Sequence, residues 1–461
     1  MQTMLSPDQP LGLFQRARLG ILWLAVLGPL FFLTYGAANT FTATRGDIGS
    51  LVFEWEHLIP FWSWTIIPYW SIDLLYGVSF LLCKTPREMK RHAFRLLTAQ
   101  GLAIGGFLLF PLQFTHGRPE TEGLTGWLFD VLLGFDQPYN QAPSLHIILL
   151  VILWDRYAAH SRPPVRWFVH GWALLIGLSV LTTYQHHFID IPTGVLVGML
   201  CLWCWPMEQP CPLFRIKWPC NRKTGLIGLC YLLGALAVAA IAVALGGTGL
   251  WLLWLGWALL LVSANYLFWG AQGFQKQSSG QLSIACSLML APYLLAAWAN
   301  SRLWTSREPV AVEIEHDVWL GRLPDSGVLQ QHGFAALVDL CGELPAPQPG
   351  PKTTYLALPH LDLVPLNTSE CEAAARAIQQ ARGRGRTLVY CSLGYSRSAA
   401  AVAAWLILFR HVSDGQAARA QLESKRRVHL GKAQLEYLDA LITHSPASQP
   451  APLNGLSGAP A

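Results

Sequence analysis

Thr387-Leu388-Val389-Tyr390-Cys391-Ser392-Leu393-Gly394-Tyr395-Ser396-Arg397-Ser398, running on into Ala399-Ala400-Ala401-Val402-Ala403-Ala404-Trp405-Leu406-Ile407-Leu408, decides the fold of the C-terminal part of this chain. The β-branched and apolar run up to Tyr390 predicts a buried strand, and the alanine-rich run after Ser398 predicts a helix. Strand, short loop, helix is how a chain builds an anion cradle. The backbone N–H groups of Ser392, Leu393, Gly394, Tyr395 and Ser396 point inward, and the helix N-terminus adds its positive dipole. Gly394 lets the backbone turn where a Cβ would clash. In that field Cys391 is expected to be a thiolate nucleophile. Arg397 brings a planar fork able to hold two oxygens of one anion. Ser398 is placed to donate to the sulfur. A buried structural cysteine would need neither Arg397 nor Gly394.

These residues resemble the signature of the cysteine-dependent phosphatases, a Cys, five residues, then Arg followed by Ser or Thr, and within them the dual-specificity branch. Tyr390 departs from the pattern, which usually has His before the cysteine. The resemblance extends upstream. Glu313-Ile314-Glu315-His316-Asp317-Val318-Trp319-Leu320-Gly321-Arg322 resembles the opening strand of that branch, and Gly333 to Leu340 resembles the next, apolar enough for a central parallel sheet. Asp362, in Tyr355-Leu356-Ala357-Leu358-Pro359-His360-Leu361-Asp362, occupies the place of the family's aspartate, which protonates the leaving oxygen because an alkoxide leaves poorly. Asp339 competes for that role but falls within a strand and reads as structural.

The whole chain has 461 residues, of which 52% are hydrophobic and 13% charged, with 20 Trp. That composition lies outside the soluble globular norm and predicts membrane spans. About nine apolar stretches are candidates: Ile21–Leu33, Trp64–Cys83, Leu96–Phe114, His146–Ala158, Trp167–Tyr184, Phe188–Trp205, Gly225–Leu245, Leu250–Phe268 and Leu282–Trp298. The first carries Arg16 and Arg18 ahead of it and reads as an uncleaved span. Basic residues gather at Lys84–Arg95, Arg156–Arg166 and Arg215–Lys223, so those loops and the N-terminus are expected on the cytoplasmic side. An odd number of spans then places the Cys391 domain outside, unless one stretch does not cross. The expected division is a cytoplasmic segment over 1–18, a six-helix membrane domain over 19–206, further membrane helices over 207–300, an α/β domain over 301–444 and a disordered tail over 445–461, rich in Pro, Ala, Ser and Gly.

Two outward-facing helix starts carry a second constellation, Ala142-Pro143-Ser144-Leu145-His146 and Thr183-Tyr184-Gln185-His186-His187-Phe188-Ile189-Asp190. Ionisable groups at the mouths of apolar helices are costly unless they act. His186 and Asp190 are four apart, so the carboxylate can fix the imidazole tautomer and raise its basicity. His146 can approach from a neighbouring helix.

So arranged, they resemble the type 2 phosphatidic acid phosphatase superfamily of membrane lipid phosphatases. That resemblance implies His186 as the nucleophile, Asp190 as its orienter, His146 as the acid, and Ser144 and Arg118 as phosphate ligands. His187 is the rival nucleophile. Two of the superfamily's cations are missing, with Val180 and Pro111 standing at those positions. The remaining Pro-Ser-Leu-His and Gln-His-x-x-x-Asp are also similar to inositol phosphorylceramide and sphingomyelin synthases, which transfer a phospho-head-group between lipids.

The expected architecture is thus a multi-span α-helical membrane domain plus a C-terminal α/β dual-specificity phosphatase-like domain with a central, mainly parallel sheet. The expected activity is phosphate-monoester hydrolysis on membrane lipid phosphates, in the lipid bilayer, as a multi-pass protein of a bacterial cytoplasmic membrane. The alternatives are a head-group transferase coupled to a phosphatase, a membrane-anchored protein phosphatase, and a sensor that binds without turnover. No cofactor or metal is expected, since both routes use covalent phosphoenzymes. Cys201, Cys204, Cys211 and Cys220 have no zinc spacing. Asp73 is an unusual carboxylate within a span. The basic runs at Arg382–Arg386 and Lys425–Arg427 read as solvated faces, and the net charge of +5 does not suggest nucleic acid.

Overall fold

A computed structural model of the chain describes residues 6–444 except 47, 135, 217 and 220. Cys220 and the tail from residue 445 therefore lie outside the described residues. Two units divide the chain, interleaved in sequence. One takes Met1–Arg215, Leu245–Leu250 and Ile284–Met289, and the other takes Ile216–Ala244, Trp251–Ser283 and Leu290–Ala461.

The first unit is helical: α1 (Leu13–Ala43), α2 (Ile66–Ser79), α3 (Pro86–Leu109), α4 (Gly123–Leu133), α5 (Leu145–His160), α6 (Pro163–Thr182) and α7 (Asp190–Cys204). Local sequence sets the starts. Thr85 caps α3 by accepting from Glu88 N, with Pro86 in the first turn, and Ser144 caps α5 by accepting from Ile147 N. α5 packs on α7, on α6 and on α2, burying Ile147, Ile148, Ile152 and Leu153.

The second unit opens with α8 (Arg222–Leu245) and α9 (Leu252–Ala264). Gly246 and Gly247 between them adopt φ of +59° and +45°. α10 (Ile284–Met289) returns to the first unit, where it packs on α7, and α11 (Ala291–Trp304) belongs to the second. The expected single span Leu282–Trp298 is thus two helices. Pro292 sits in the first turn of α11, where its ring and missing N–H forbid continuation from α10.

Among the described residues five helices, Leu13–Ala43, Ser63–Leu82, Pro163–Thr182, Arg222–Leu245 and Gly247–Phe274, are long and apolar enough to cross a membrane. Four of the nine expected stretches differ: α5 and α7 have 16 and 15 residues, α3 begins among Arg87, Lys90, Arg91 and Arg95, and the last is split. Phe14, Leu33, Trp167, Phe168 and Val243 stand exposed, which a chain surrounded by water rarely tolerates in such number.

The sheet of the second unit holds β1 (Ala311–Glu315), β2 (Val318–Arg322), β3 (Ala336–Cys341), β4 (Thr354–His360) and β5 (Thr387–Cys391) in the order β1-β2-β5-β3-β4. β1 and β2 pair antiparallel and the other neighbours are parallel. Every residue of β3 and β5 is buried. Val338, Leu340 and Val389 face a core shared with α13 (Thr368–Arg382), α14 (Arg397–Arg410), α15 (Gly415–Glu423) and α16 (Lys432–His444). Leu337, Leu388 and Tyr390 face the other way, onto Val328 and Leu329 of α12 (Ser326–His332) and Leu294 and Ala297 of α11. That double burial explains why β3 reads as a nearly continuous apolar run. It also makes one face of α11 part of this unit's core.

Candidate functional site

Cys391 ends β5, with Arg322 of β2 opposite it in register. The loop folds back over the sulfur: Gly394 N–H donates to Sγ at 3.2 Å and Ser398 Oγ–H donates at 3.3 Å. Gly394 has φ +79°, and a Cβ there would lie 2.6 Å from the Gly321 carbonyl oxygen of β2. No side chain fits.

Arg397 opens α14 and is 1% exposed. Its guanidinium is fixed on several sides. Nη1 and Nη2 each donate at 2.7 Å to the two carboxylate oxygens of Glu343, Nη2 donates to Ser392 Oγ at 2.8 Å, and Nη1 donates to the His360 carbonyl at 2.8 Å. Asp362 Oδ1 lies 3.0 Å from Nη2. Nε is buried and has no hydrogen-bond partner among the described residues. A bidentate pair plus two further acceptors leaves the fork little freedom, and a buried donor without an acceptor is what an oxyanion cradle requires.

Two carboxylates therefore meet one arginine, in different states. Glu343 is deeply buried, which works to raise its pKa, but the charge and bonds of Arg397 overcome that and hold it below the ordinary range. The Asp362 side chain is about a third exposed, 32%. Its pKa is raised, by burial in the cleft first and by Glu343 as well, against the opposing pull of Arg397. One carboxylate anchors and the other is biased toward carrying a proton. Asp339, the competitor for the acid role, accepts from Lys276 Nζ and Tyr355 Oη, both at 2.6 Å, and from Cys341 N. It is buried at the centre of β3 and cannot reach a substrate.

Glu343 escapes a sequence reading because it stands alone, far upstream of the loop, with no partner at a helical or strand spacing. Tyr266 escapes it too. It lies in a π-helical turn, Asn265–Trp269, directly after α9, and its hydroxyl donates to the backbone carbonyl of Asp362 at 2.9 Å.

In the first unit, His186 Nδ1 lies 3.1 Å from Asp190 Oδ2 and Nε2 lies 3.0 Å from Ser144 Oγ. With its proton on Nδ1, facing the carboxylate, the ring turns the lone pair of Nε2 toward the serine hydroxyl. His146 stacks on Tyr69 with ring centroids 4.1 Å apart, and its Nε2 is buried without a hydrogen-bond partner among the described residues. His146 and His186 line one cavity of about 580 Å³, together with Tyr35, Asp73 and Asp136. Among the described residues no lysine or arginine lines it. Arg118 lies over the Phe129 ring, 4.3 Å from its centroid, instead of facing the cavity. His187 has its own carboxylate: Nδ1 is 3.0 Å from Glu56 Oε2, which also accepts from Phe188 N. Glu56 belongs to a short 3₁₀ turn, Glu54–Leu58, with no sequence signal linking it to His187.

No protein-family model matches the chain, and no curated protein does. Solved structures do match part of it. Human DUSP28 is similar at 26% identity over 29% of this chain and 96% of that one, with a TM-score of 0.27. Tk-PTP in its active form is similar at 25% identity over 30% and 99%, with a TM-score of 0.27. PTPMT1 in complex with PI(5)P is similar at 19% identity over 29% and 96%, with a TM-score of 0.26.

Proposed function

We propose that this chain is a membrane-bound phosphoric monoester hydrolase acting on lipid phosphates through Cys391. The observation that carries it is the meeting of Cys391, Arg397 and Asp362 at one loop: a sulfur held by two donors, a fixed fork with a free buried N–H, and a carboxyl biased toward protonation. In the first half-reaction the Cys391 sulfur attacks phosphorus, the bond from phosphorus to the ester oxygen breaks, and Asp362 gives that oxygen its proton. In the second, water attacks the phosphocysteine, Asp362 takes a proton from it, and the sulfur leaves with Ser398 donating to it. Arg397 and the loop N–H groups hold the three equatorial oxygens throughout.

The lipid assignment rests on the apolar helices built into the same unit and on the exposed apolar side chains of α1, α6 and α8. For the first unit, the geometry favours head-group transfer over hydrolysis of a dianionic monoester. Asp73 and Asp136 face the cavity, and no lysine or arginine stands among its described lining residues, which disfavours two negative charges on the bound group. His186, oriented by Asp190, would attack the phosphorus of a phosphodiester and break its bond to the lipid oxygen, which would leave as the lipid alcohol with a proton from His146. A second lipid hydroxyl would then attack the phosphohistidine, giving its proton to His146 and freeing His186.

Phosphate release from a panel of lipid phosphates in detergent tests both. Cys391→Ser should abolish release, and His186→Ala should leave it intact while removing acceptor-dependent transfer. Release from no lipid, with aryl phosphate still hydrolysed, would sink the lipid assignment; full release by Cys391→Ser would sink the cysteine mechanism.

A further inference from the structure

We infer that Tyr266, on the apolar hairpin of α8 and α9, is a positioning residue for the acid Asp362, so that the hairpin is a working part of the Cys391 site. This rests on the phosphatase reading above. Arg397 meets the Asp362 carboxylate at 3.0 Å, but the loop that carries it is open: the side chain is partly exposed, and the next residue, Leu363, takes a φ of +60° and is 58% exposed. A loop so open needs an external hold if its carboxyl is to meet a leaving oxygen reproducibly. The Tyr266 hydroxyl supplies one, through its bond to the Asp362 carbonyl.

Tyr266 is itself held. It is 3% exposed, and its ring stacks on Tyr231 of α8 with centroids 5.6 Å apart. Gly228 of α8 lets the two helices close: a Cβ there would sit 2.7 Å from Leu267 Cγ and 3.2 Å from Tyr266 Cβ. Ser263 Oγ donates to the Gly228 carbonyl at 2.7 Å, pinning α9 to α8 at this level. The π-helical turn after α9 aims the ring, a distortion that recurs where a helix must present a residue off its normal register.

The segment that follows is clamped to the sheet on the same side. Lys276 Nζ donates to Asp339 Oδ2 and to the carbonyls of Cys341 and Leu344, at 2.6 to 2.8 Å. A Cβ on Gly342, next to the anchor Glu343, would lie 3.2 Å from Ala271 Cβ. The hairpin thus touches both carboxylate-bearing loops of the Cys391 site, one through Tyr266 and the other through Ala271 and Lys276. The chemical consequence is selective. A substrate whose leaving oxygen is an alkoxide needs the proton of Asp362, whereas an aryl oxide leaves without it.

The test uses the full-length protein in detergent, with p-nitrophenyl phosphate and dioleoyl phosphatidic acid as the two substrates. Tyr266→Phe should lower kcat on the alkyl phosphate roughly tenfold or more, with KM little changed, and leave aryl phosphate hydrolysis within about twofold. Asp362→Asn should give the same selectivity in stronger form, and Cys391→Ser should stop both reactions. Equal losses of Tyr266→Phe on the two substrates, or undiminished turnover of the alkyl phosphate, would overturn the positioning role while the phosphatase reading stands. Failure of the wild type to hydrolyse even the aryl phosphate would overturn both.

Discussion

Glu343→Gln is the sharpest perturbation of the Cys391 site, because it keeps volume and shape while removing the charge opposite Arg397. A carboxamide offers one acceptor and one donor. One of the two 2.7 Å bonds survives, and in place of the other an N–H faces an N–H. Breaking a buried ion pair from one side costs about 3–5 kcal/mol. Arg397 keeps Asp362, Ser392 and the His360 carbonyl, so the cost falls near the lower end, about 3 kcal/mol. The easiest relief is a swing of the guanidinium toward Asp362, its remaining charged partner. That motion turns the fork from phosphate and occupies the acid, so the cost appears in the transition state. About 3 kcal/mol corresponds to roughly two orders of magnitude in kcat/KM. Initial rates on aryl phosphate, with inhibition by tungstate as a separate measure of the cradle, give the answer. The deficit should be level from about pH 5 to 8, because a carboxylate with a depressed pKa contributes fully above its ordinary value, about 4.3, and is lost only as pH falls through the lower folded value. A variant within threefold of wild type, with unaltered tungstate inhibition, would mean that the loop and α14 alone align Arg397.

The loop itself can be tested by Gly394→Ala. The left-handed φ costs about 1–2 kcal/mol, and the approach to the Gly321 oxygen adds to it, so turnover should fall at least a hundredfold while far-ultraviolet circular dichroism is unchanged. For Asp362, the raised pKa means that the proton donor persists to higher pH than an ordinary aspartate allows. In the wild type, kcat on an alkyl phosphate should decline as pH rises through that raised value, and Asp362→Asn should abolish this limb. Lys276→Met removes one member of a buried pair with both side chains 1% exposed or less, and should lower thermal stability of the sheet by about 3–5 kcal/mol. The double variant with Asp339→Asn should recover part of that loss, because no charge is left buried alone; no recovery would mean that the carbonyl bonds of Lys276 carry the effect.

How much of this was legible in the sequence follows from how local each feature is. The loop from Cys391 to Ser398 is contiguous, with its strand before it and its helix after it, so its composition describes its geometry. β3 was legible because burial on both faces leaves a nearly continuous apolar run, interrupted by Asp339. His186 and Asp190 are four apart and meet in the structure, although His186 lies in the turn before α7 rather than on its face. Glu343, Glu56 and Tyr266 were not legible: each reaches its partner across the fold, and nothing in spacing or composition ties Tyr266 to Asp362. The compact units do not divide at residue 300, for a related reason. Hydropathy grouped α8, α9 and α11 with the other apolar helices, whereas Leu294, Ala297, Lys276 and Tyr266 give these segments their partners in the sheet and its loops. Arg118 was assigned by an Arg-Pro pair, which carries no information about where the guanidinium points.

The interleaving of the two units also has a consequence for synthesis. α7 ends at Cys204, but α10, which packs on it and buries Ala285, Cys286 and Met289, starts at Ile284. At roughly 5–20 residues per second, a ribosome needs about 4–16 seconds to make the intervening 80 or so residues. During that interval the nascent first unit has an apolar groove where its last helix belongs, while the chain is already laying down the hairpin of the second. A gene cut after α7 would make that transient permanent. The two units are therefore bound to a single translation product, and separating them into independent genes would require α10 to be grafted onto the first.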